Sequence, residues 1–182
     1  MLNFTILGFL NFRSMTGYDI KQLMESSTNH FWDARLSQIY MTLKKLEQAG
    51  WVESVIEAQD GRPDRRVYTI TSVGKSELDS WLGKMILERD TKKDPLLLKI
   101  FFSSPEDAAM LISQLRLQLE LHQEQLRVYE EDSQAVIADF IADKPDLTPR
   151  VKLWELTRRF GISYEKTYIQ WLQEAIQLLE EE

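Results

Sequence analysis

Cysteine is absent from the 182 residues, so the chain can form no disulfide, thiol nucleophile or thiolate-held metal site, and a reducing compartment suits it. Histidine is scarce. The two present, His30 and His122, stand in no metal-ligand spacing such as HExxH, and no metal site is expected. The 7 glycines form no phosphate-cradling loop, and no serine occupies a nucleophile elbow. Carboxylates are numerous but scattered over helix exteriors. No catalytic residue, no cofactor and no enzyme activity are expected. Long apolar runs are missing too: none approaches the ~20 residues needed to span a bilayer. The segment Met1 to Gly8 lacks the basic start and small-residue cleavage pattern of a secretory leader. A cytoplasmic location is expected.

What the chain does have is ordinary globular composition, 43% hydrophobic and 28% charged, with its charge unevenly placed. Residues 1–75 hold 9 Lys/Arg against 8 Asp/Glu, whereas residues 76–182 hold 13 against 21, for a net −7 overall. An acidic whole argues against a non-specific polyanion coat, yet leaves room for a small basic patch at one end.

The stretch 34–50 organises the first half. Leu36, Ile39, Leu43 and Leu46 recur at helical spacing as a narrow apolar stripe, and Gly50 supplies a left-handed cap after the last turn. Ser37, Gln38, Met41, Lys44, Lys45 and Gln48 point the other way, and Tyr40 lies at the rim of the stripe. That outward face has hydroxyl, amide and ammonium groups and no carboxylate, a set suited to phosphates and base edges. A solvated helix face would look similar, so the flanking elements matter. Upstream, residues 3–12 form a short apolar helix. Thr16 is an N-cap with Asp19 in capping-box position, and Tyr18, Ile20, Leu23 and Met24 make the inner face of a second helix. Phe31 and Trp32 plug the gap before the third. Downstream, Trp51 to Glu57 and Arg66 to Ile70 are strand-like, joined by a turn-rich tip containing Asp60, Gly61 and Pro63. The tip and its exit carry Arg62, Arg65 and Arg66. Three helices followed by an arginine-tipped hairpin is the winged helix-turn-helix order, with the third helix in the major groove and the hairpin along the backbone. Ion pairing with Asp60 and Asp64 is the competing account of those arginines.

A fourth helix starts at Thr71-Ser72 and is expected to run through Leu78, Trp81, Leu82 and Met85 to about Glu88. The charged stretch 89–95 ends in Pro95 and marks a boundary between a DNA-binding domain, 1–88, and a helical domain, 96–182. In the latter, Leu96 to Phe102 is a short apolar helix, and Ser104-Pro105-Glu106-Asp107 starts a long one. Ile112, Leu115, Leu119, His122, Leu126 and Tyr129 keep heptad spacing along it, while Met110, Leu117, Leu121 and Val128 form a second stripe. The last helix, from about Arg150 to Leu179, also has two: Leu153, Phe160, Tyr164, Trp171, Ala175 and Leu178, beside Trp154, Tyr168, Leu172, Ile176 and Leu179. So much apolar surface points to a dimer. Leu115, Leu119, Leu126, Trp154, Tyr164, Trp171 and Leu172 are the candidate contacts; a monomeric bundle is the alternative. The expected fold is mainly α: an N-terminal winged helix-turn-helix with a two-stranded wing, then an all-α dimerisation domain.

Several segments in this order resemble the PadR-type transcriptional regulators with the long helical C-terminal domain of the virulence-activator type. They are Ile6-Leu7-Gly8-Phe9-Leu10, Thr16-Gly17-Tyr18-Asp19-Ile20, Ile39 to Gly50, Gly61 to Tyr68, Ile70 to Gly74, Leu156 to Gly161, and Trp171-Leu172. Met41 stands where that family often has Pro, and Ser37-Gln38 where it often has Gly-Ser, departures that bear on the operator sequence. The resemblance implies a homodimer on a palindromic promoter site, usually a repressor, and release by a small aromatic or lipophilic effector. In such a complex Ser37, Gln38, Tyr40 and Met41 meet base edges, and Lys44, Lys45, Arg62, Arg65 and Arg66 meet phosphates. Phe31, Trp32 and Trp81 are the aromatics expected at an effector site, with core packing as their competing role. A winged-helix adaptor that binds proteins instead of DNA is the alternative function.

Overall fold

The computed structural model describes residues 1–28, 31–58, 64–88, 93–143 and 145–181. The chain divides into two compact units, Met1–Leu87 and Glu88–Glu182.

The first unit is built from α1 (Leu2–Leu10), β1 (Met15–Thr16), α2 (Gly17–Ser27), α3 (Leu36–Gln48), β2 (Val52–Glu57), β3 (Arg65–Ile70) and α4 (Ser72–Leu82). Ile6, Leu7, Ile20, Met24, Ile39 and Leu43 are fully buried in one core with Leu46, Val52, Tyr68, Ile70 and Leu78. Burying such a side chain contributes about 1.5–3 kcal/mol, against about 1 kcal/mol for a good helix cap. The core therefore assembles the unit, and caps mark the start of α2, the end of α3 and the start of α4.

Those caps are explicit. The Thr16 hydroxyl accepts from the Asp19 N–H at 3.1 Å, while the Asp19 carboxylate accepts from the Thr16 N–H at 2.9 Å, closing the expected capping box. α3 ends in a Schellman turn: Gly50 has φ +72°, its N–H donates to the Glu47 carbonyl, and the Trp51 N–H donates to the Leu46 carbonyl at 2.9 Å. Thr71 caps α4 through the Gly74 N–H at 3.1 Å.

The sheet has three strands in the order β1-β3-β2, all antiparallel. The expected two-stranded wing thus gains a short third strand, with Met15 opposite Tyr68 and Thr16 opposite Val67. A two-residue strand is too short to show alternation in sequence. It exists because the buried Met15 belongs to the core.

Three expectations are corrected in this unit. Tyr18 is exposed rather than inward, because it stands about 200° around the helix from Ile20. Leu36 lies beyond the core edge at the first position of α3 and is 36% exposed. Finally, α4 stops at Leu82 instead of near Glu88; the weak helix former Gly83 follows it, and Met85, Ile86 and Leu87 are all exposed.

The second unit comprises α5 (Pro95–Phe102), α6 (Ala108–Arg127), α7 (Ser133–Asp143) and α8 (Val151–Glu180). Asp94 caps α5 by accepting from the Leu96 N–H at 2.9 Å, with Pro95 at the first helical position. Ser104 and Asp107 close a capping box on a short 3-10 turn, Pro105–Asp107, that leads into α6. Leu96, Leu115, Leu172 and Ile176 form the apolar centre. Beside it runs a polar seam. His122 Nδ1 pairs with the buried Glu165 carboxylate, the His122 ring lies 4.3 Å from that of Tyr168, and the Tyr168 hydroxyl donates to Asp94 at 2.7 Å. Burial, and then the Asp94 hydrogen bond, raise the Tyr168 phenol above its ordinary range. After α6 the helix widens into a π-turn at Val128–Asp132, and the Arg158 guanidinium donates to the Tyr129 carbonyl at 2.8 Å.

This core sorts the apolar stripes. On α6 the heptad stripe faces inward, and Met110, Leu117 and Leu121 are about half exposed. On α8, Leu153, Leu156, Phe160 and Leu178 are more than half exposed. Leu115 and Leu172, expected to meet a partner chain, are fully buried against their own unit. Leu119 and Trp171 also pack on that core, and Leu126, Trp154 and Tyr164 are half-buried. Among the described residues no helix is long and apolar enough to cross a membrane.

Candidate nucleic-acid interface

Burial of Ile39, Leu43 and Leu46 fixes which way α3 faces. Ser37, Gln38, Met41, Lys44, Lys45 and Gln48 are all exposed on its other side, as the spacing predicts. Gln38 is partly engaged. Its Oε1 accepts from the Arg35 N–H at 2.9 Å at the helix start, leaving its side-chain NH2 to point away. Tyr40 is 44% exposed, and its ring lies against Gly17 so closely that a Cβ there would stand 2.6 Å from it. Tyr40 therefore holds α3 on α2 as well as showing an edge to solvent. Lys21 of α2 reaches Asp33, just before α3, at 2.8 Å. That hydrogen bond raises the Lys21 pKa and lowers that of Asp33.

The two described wing arginines part company. In the β2–β3 register Glu57 faces Arg65, and Ile56 faces Arg66. Side chains alternate across a strand, so adjacent arginines emerge on opposite faces. Arg65 pairs with Glu57 at 2.7 Å in a solvent-exposed bridge. Arg66 shares the face that carries Tyr68 and Ile70 into the core. Its guanidinium meets both oxygens of Glu47, at 3.0 and 2.9 Å, and Nε donates to the Ser54 hydroxyl at 2.7 Å. The guanidinium carbon also lies 5.6 Å from the centre of the Tyr68 ring. Arg66, expected to meet a phosphate, is here engaged by an acid on α3. Neither partner is one of the aspartates the sequence pointed to; Asp60 and Arg62 lie outside the described residues. Glu47, Ser54 and Gly17 were missed, although strand parity already places Arg66 on the Tyr68 face.

The three aromatics expected at an effector site are differently placed. Trp81 stacks on Phe4 at 4.9 Å and 7°, which gives it a packing role. Phe31 is about half exposed, and the buried Trp32 indole Nε1–H has no hydrogen-bond partner among the described residues.

Two family models match the chain: "Transcriptional regulator PadR-like family" over residues 6–80 and "Virulence activator alpha C-term" over residues 92–180. The chain is 28% identical over 185 residues to the negative transcriptional regulator PadR of Bacillus subtilis (strain 168), covering 100% of this chain and 99% of that protein. The crystal structure of B. subtilis PadR in complex with operator DNA matches with a TM-score of 0.78 at 28% identity, covering 98% of each chain. The crystal structure of that protein with p-coumaric acid matches with a TM-score of 0.69 at 28% identity, covering 100% of this chain and 96% of the other. The element order, the paired models and the likeness along the whole length agree: the chain belongs to the PadR-like family of transcriptional regulators, and its second unit is of the virulence-activator type.

Proposed function

We propose that the protein represses transcription in the cytoplasm by binding a palindromic operator as a homodimer. The observation that carries this reading is the outer face of α3, where Ser37, Gln38, Met41, Lys44, Lys45 and Gln48 are exposed and no carboxylate stands among them. The one acid of that helix, Glu47, is turned to Arg66. The operator complex and the repressor name of the 28%-identical relative point the same way. Ser37, Gln38 and Met41 meet base edges, Tyr40 contributes its exposed edge, and Lys44 and Lys45 meet phosphates. Arg65 can join them, since an exposed ion pair contributes only about 0–1 kcal/mol and a phosphate can replace Glu57. Arg62 is assigned to the backbone with it.

The outward apolar stripes of α6 and α8 make the dimer contact. A small aromatic effector releases the complex, as the p-coumaric acid structure of the relative suggests. It acts only by its differential affinity for the bound and released states. Trp32, whose buried indole N–H has no partner among the described residues, is the aromatic placed to meet it.

The test is selection from a random duplex pool by the full chain. Enrichment of an inverted repeat, with half-sites about 34–36 Å apart centre to centre, supports the reading. A pool that stays random overturns it in favour of a protein-binding adaptor. Addition of p-coumaric acid to the selected complex, read by release of DNA and by tryptophan fluorescence, tests the effector.

A further inference from the structure

We propose that Glu47, Ser54 and Arg66 form a brace that sets the wing against the recognition helix, and that Glu47 and Arg66 are positioning residues for DNA binding rather than DNA contacts. The inference rests on the DNA-binding reading above and adds a role that neither the helix face nor the wing tip carries.

The geometry is specific. Glu47 lies in the last turn of α3, Ser54 on β2 and Arg66 on β3, so the group joins three elements. Ser54 is paired opposite Tyr68, and Ile56 opposite Arg66, which puts the serine and the arginine on one face as diagonal neighbours. The Ser54 hydroxyl donates to Glu47 Oε1 at 2.5 Å and accepts from Arg66 Nε at 2.7 Å. The Arg66 Nη2 atom reaches both Glu47 oxygens. Every strong group in the cluster thus has a partner inside it. Tyr68 supplies a ring beneath the guanidinium and is itself 4% exposed, so one side of the brace stands on the core. A lone exposed ion pair would fix little. A guanidinium held at several points, over a buried ring, orders both long side chains at once.

Chemistry gives the same answer from the other direction. Glu47 is the only acid in α3, at the end of a helix whose free face otherwise suits a polyanion. An unpaired carboxylate there would repel phosphates. Paired with Arg66 it is neutralised, and the wing gains a fixed angle to the helix.

The two roles make opposite predictions. If Arg66 touches phosphate and Glu47 only competes for it, Glu47→Ala removes a negative charge, frees a cation and tightens binding. If the pair is a brace, the same change loosens the wing and weakens binding. The experiment uses the full chain and the duplex that the wild-type protein enriches from a random pool. Glu47→Ala and Arg66→Ala are each expected to weaken binding by roughly fivefold or more, and the double variant no further than the weaker single one. Glu47→Gln, which can still accept from Ser54 and Arg66, is expected to recover part of the loss. The slope of log affinity against log salt should stay unchanged in all of them, because no phosphate contact is removed. Tighter or unaltered binding by Glu47→Ala, or a slope reduced by about one in Arg66→Ala, overturns the proposal.

Hydrogen exchange of the Val52–Glu57 amides without DNA supplies a readout that does not need the operator. Faster exchange there in Glu47→Ala, with α1 and α2 protected as before, is the expected result. Unchanged exchange overturns the brace itself, whereas failure of the wild-type chain to enrich any duplex overturns the reading that the brace serves.

Discussion

Gly74 and Glu155 show how much one residue can be asked to do. Gly74 sits in the first turn of α4, where a Cβ would stand 2.1 Å from the Trp51 carbonyl oxygen. That atom is backbone and cannot swing aside, so Gly74→Ala should destabilise the first unit by about 1–3 kcal/mol, as overpacking does. Urea unfolding checks it; a midpoint equal to wild type would refute the close approach. Glu155 accepts from Arg158 at 2.7 Å and from Arg159 at 2.8 Å, and these hydrogen bonds hold its carboxyl at about 2, below the ordinary 4.5. A carboxyl depressed in the folded state binds its proton more weakly there than in the unfolded chain. Its contribution is complete above about pH 4.5 and is lost as pH falls towards about 2. The melting temperature of wild type minus that of Glu155→Gln, measured at each pH, should therefore shrink across that window. A difference independent of pH would count against the pairing. Glu155 and its arginines were readable as helical neighbours three and four apart, but nothing in their order said that Arg158 would also reach the Tyr129 carbonyl.

Among the elements, α3 is the one whose both ends matter. Its Schellman turn swings the chain from the helix into β2, and so places Ser54 beside Glu47. The φ of +72° at Gly50 has open space around it, with nothing within 4 Å of an added Cβ. Gly50→Ala should cost about 1–2 kcal/mol from backbone conformation alone. Thermal unfolding measures it, and a stability gain would show that the left-handed turn is not required. The capping box at Thr16 and the glycine stop at Gly50 were both legible in the sequence, because each involves residues within a few positions of one another. The third strand was not: two residues show no period, and Met15 joins the sheet only because Tyr68 is there to pair with it. The π-turn after α6 was illegible for the same reason; Val128-Tyr129-Glu130-Glu131-Asp132 contains no proline or glycine to announce it.

For the molecule as a whole, the exposed apolar rows of the second unit are the feature that calls for a partner. Leu117 and Leu121 on α6, and Leu153, Leu156 and Phe160 on α8, are 55–64% exposed. Scattered exposed leucines are ordinary, but rows at helical spacing on two helices are the mark of a contact surface. Wild-type protein should sediment as a dimer at micromolar concentration, and Leu156→Asp combined with Phe160→Asp should sediment as a monomer with helix content retained by circular dichroism. A double variant that remains dimeric moves the interface elsewhere. Leu115→Ala, by contrast, should cost about 2–5 kcal/mol of fold stability, since that side chain is fully buried in its own unit.

Local residue order therefore settled the kinds of element, most of their ends and the winged-helix succession, because periodicity, caps and turns act over a few residues. Which apolar stripe turns inward, which acid each described wing arginine meets and where a strand is added were settled by contacts between elements. Arg66 meets Glu47 from 19 residues away, and His122 meets Glu165 from 43. A period can say that a helix has two apolar sides, but only the neighbour that buries one of them decides which side remains for a partner.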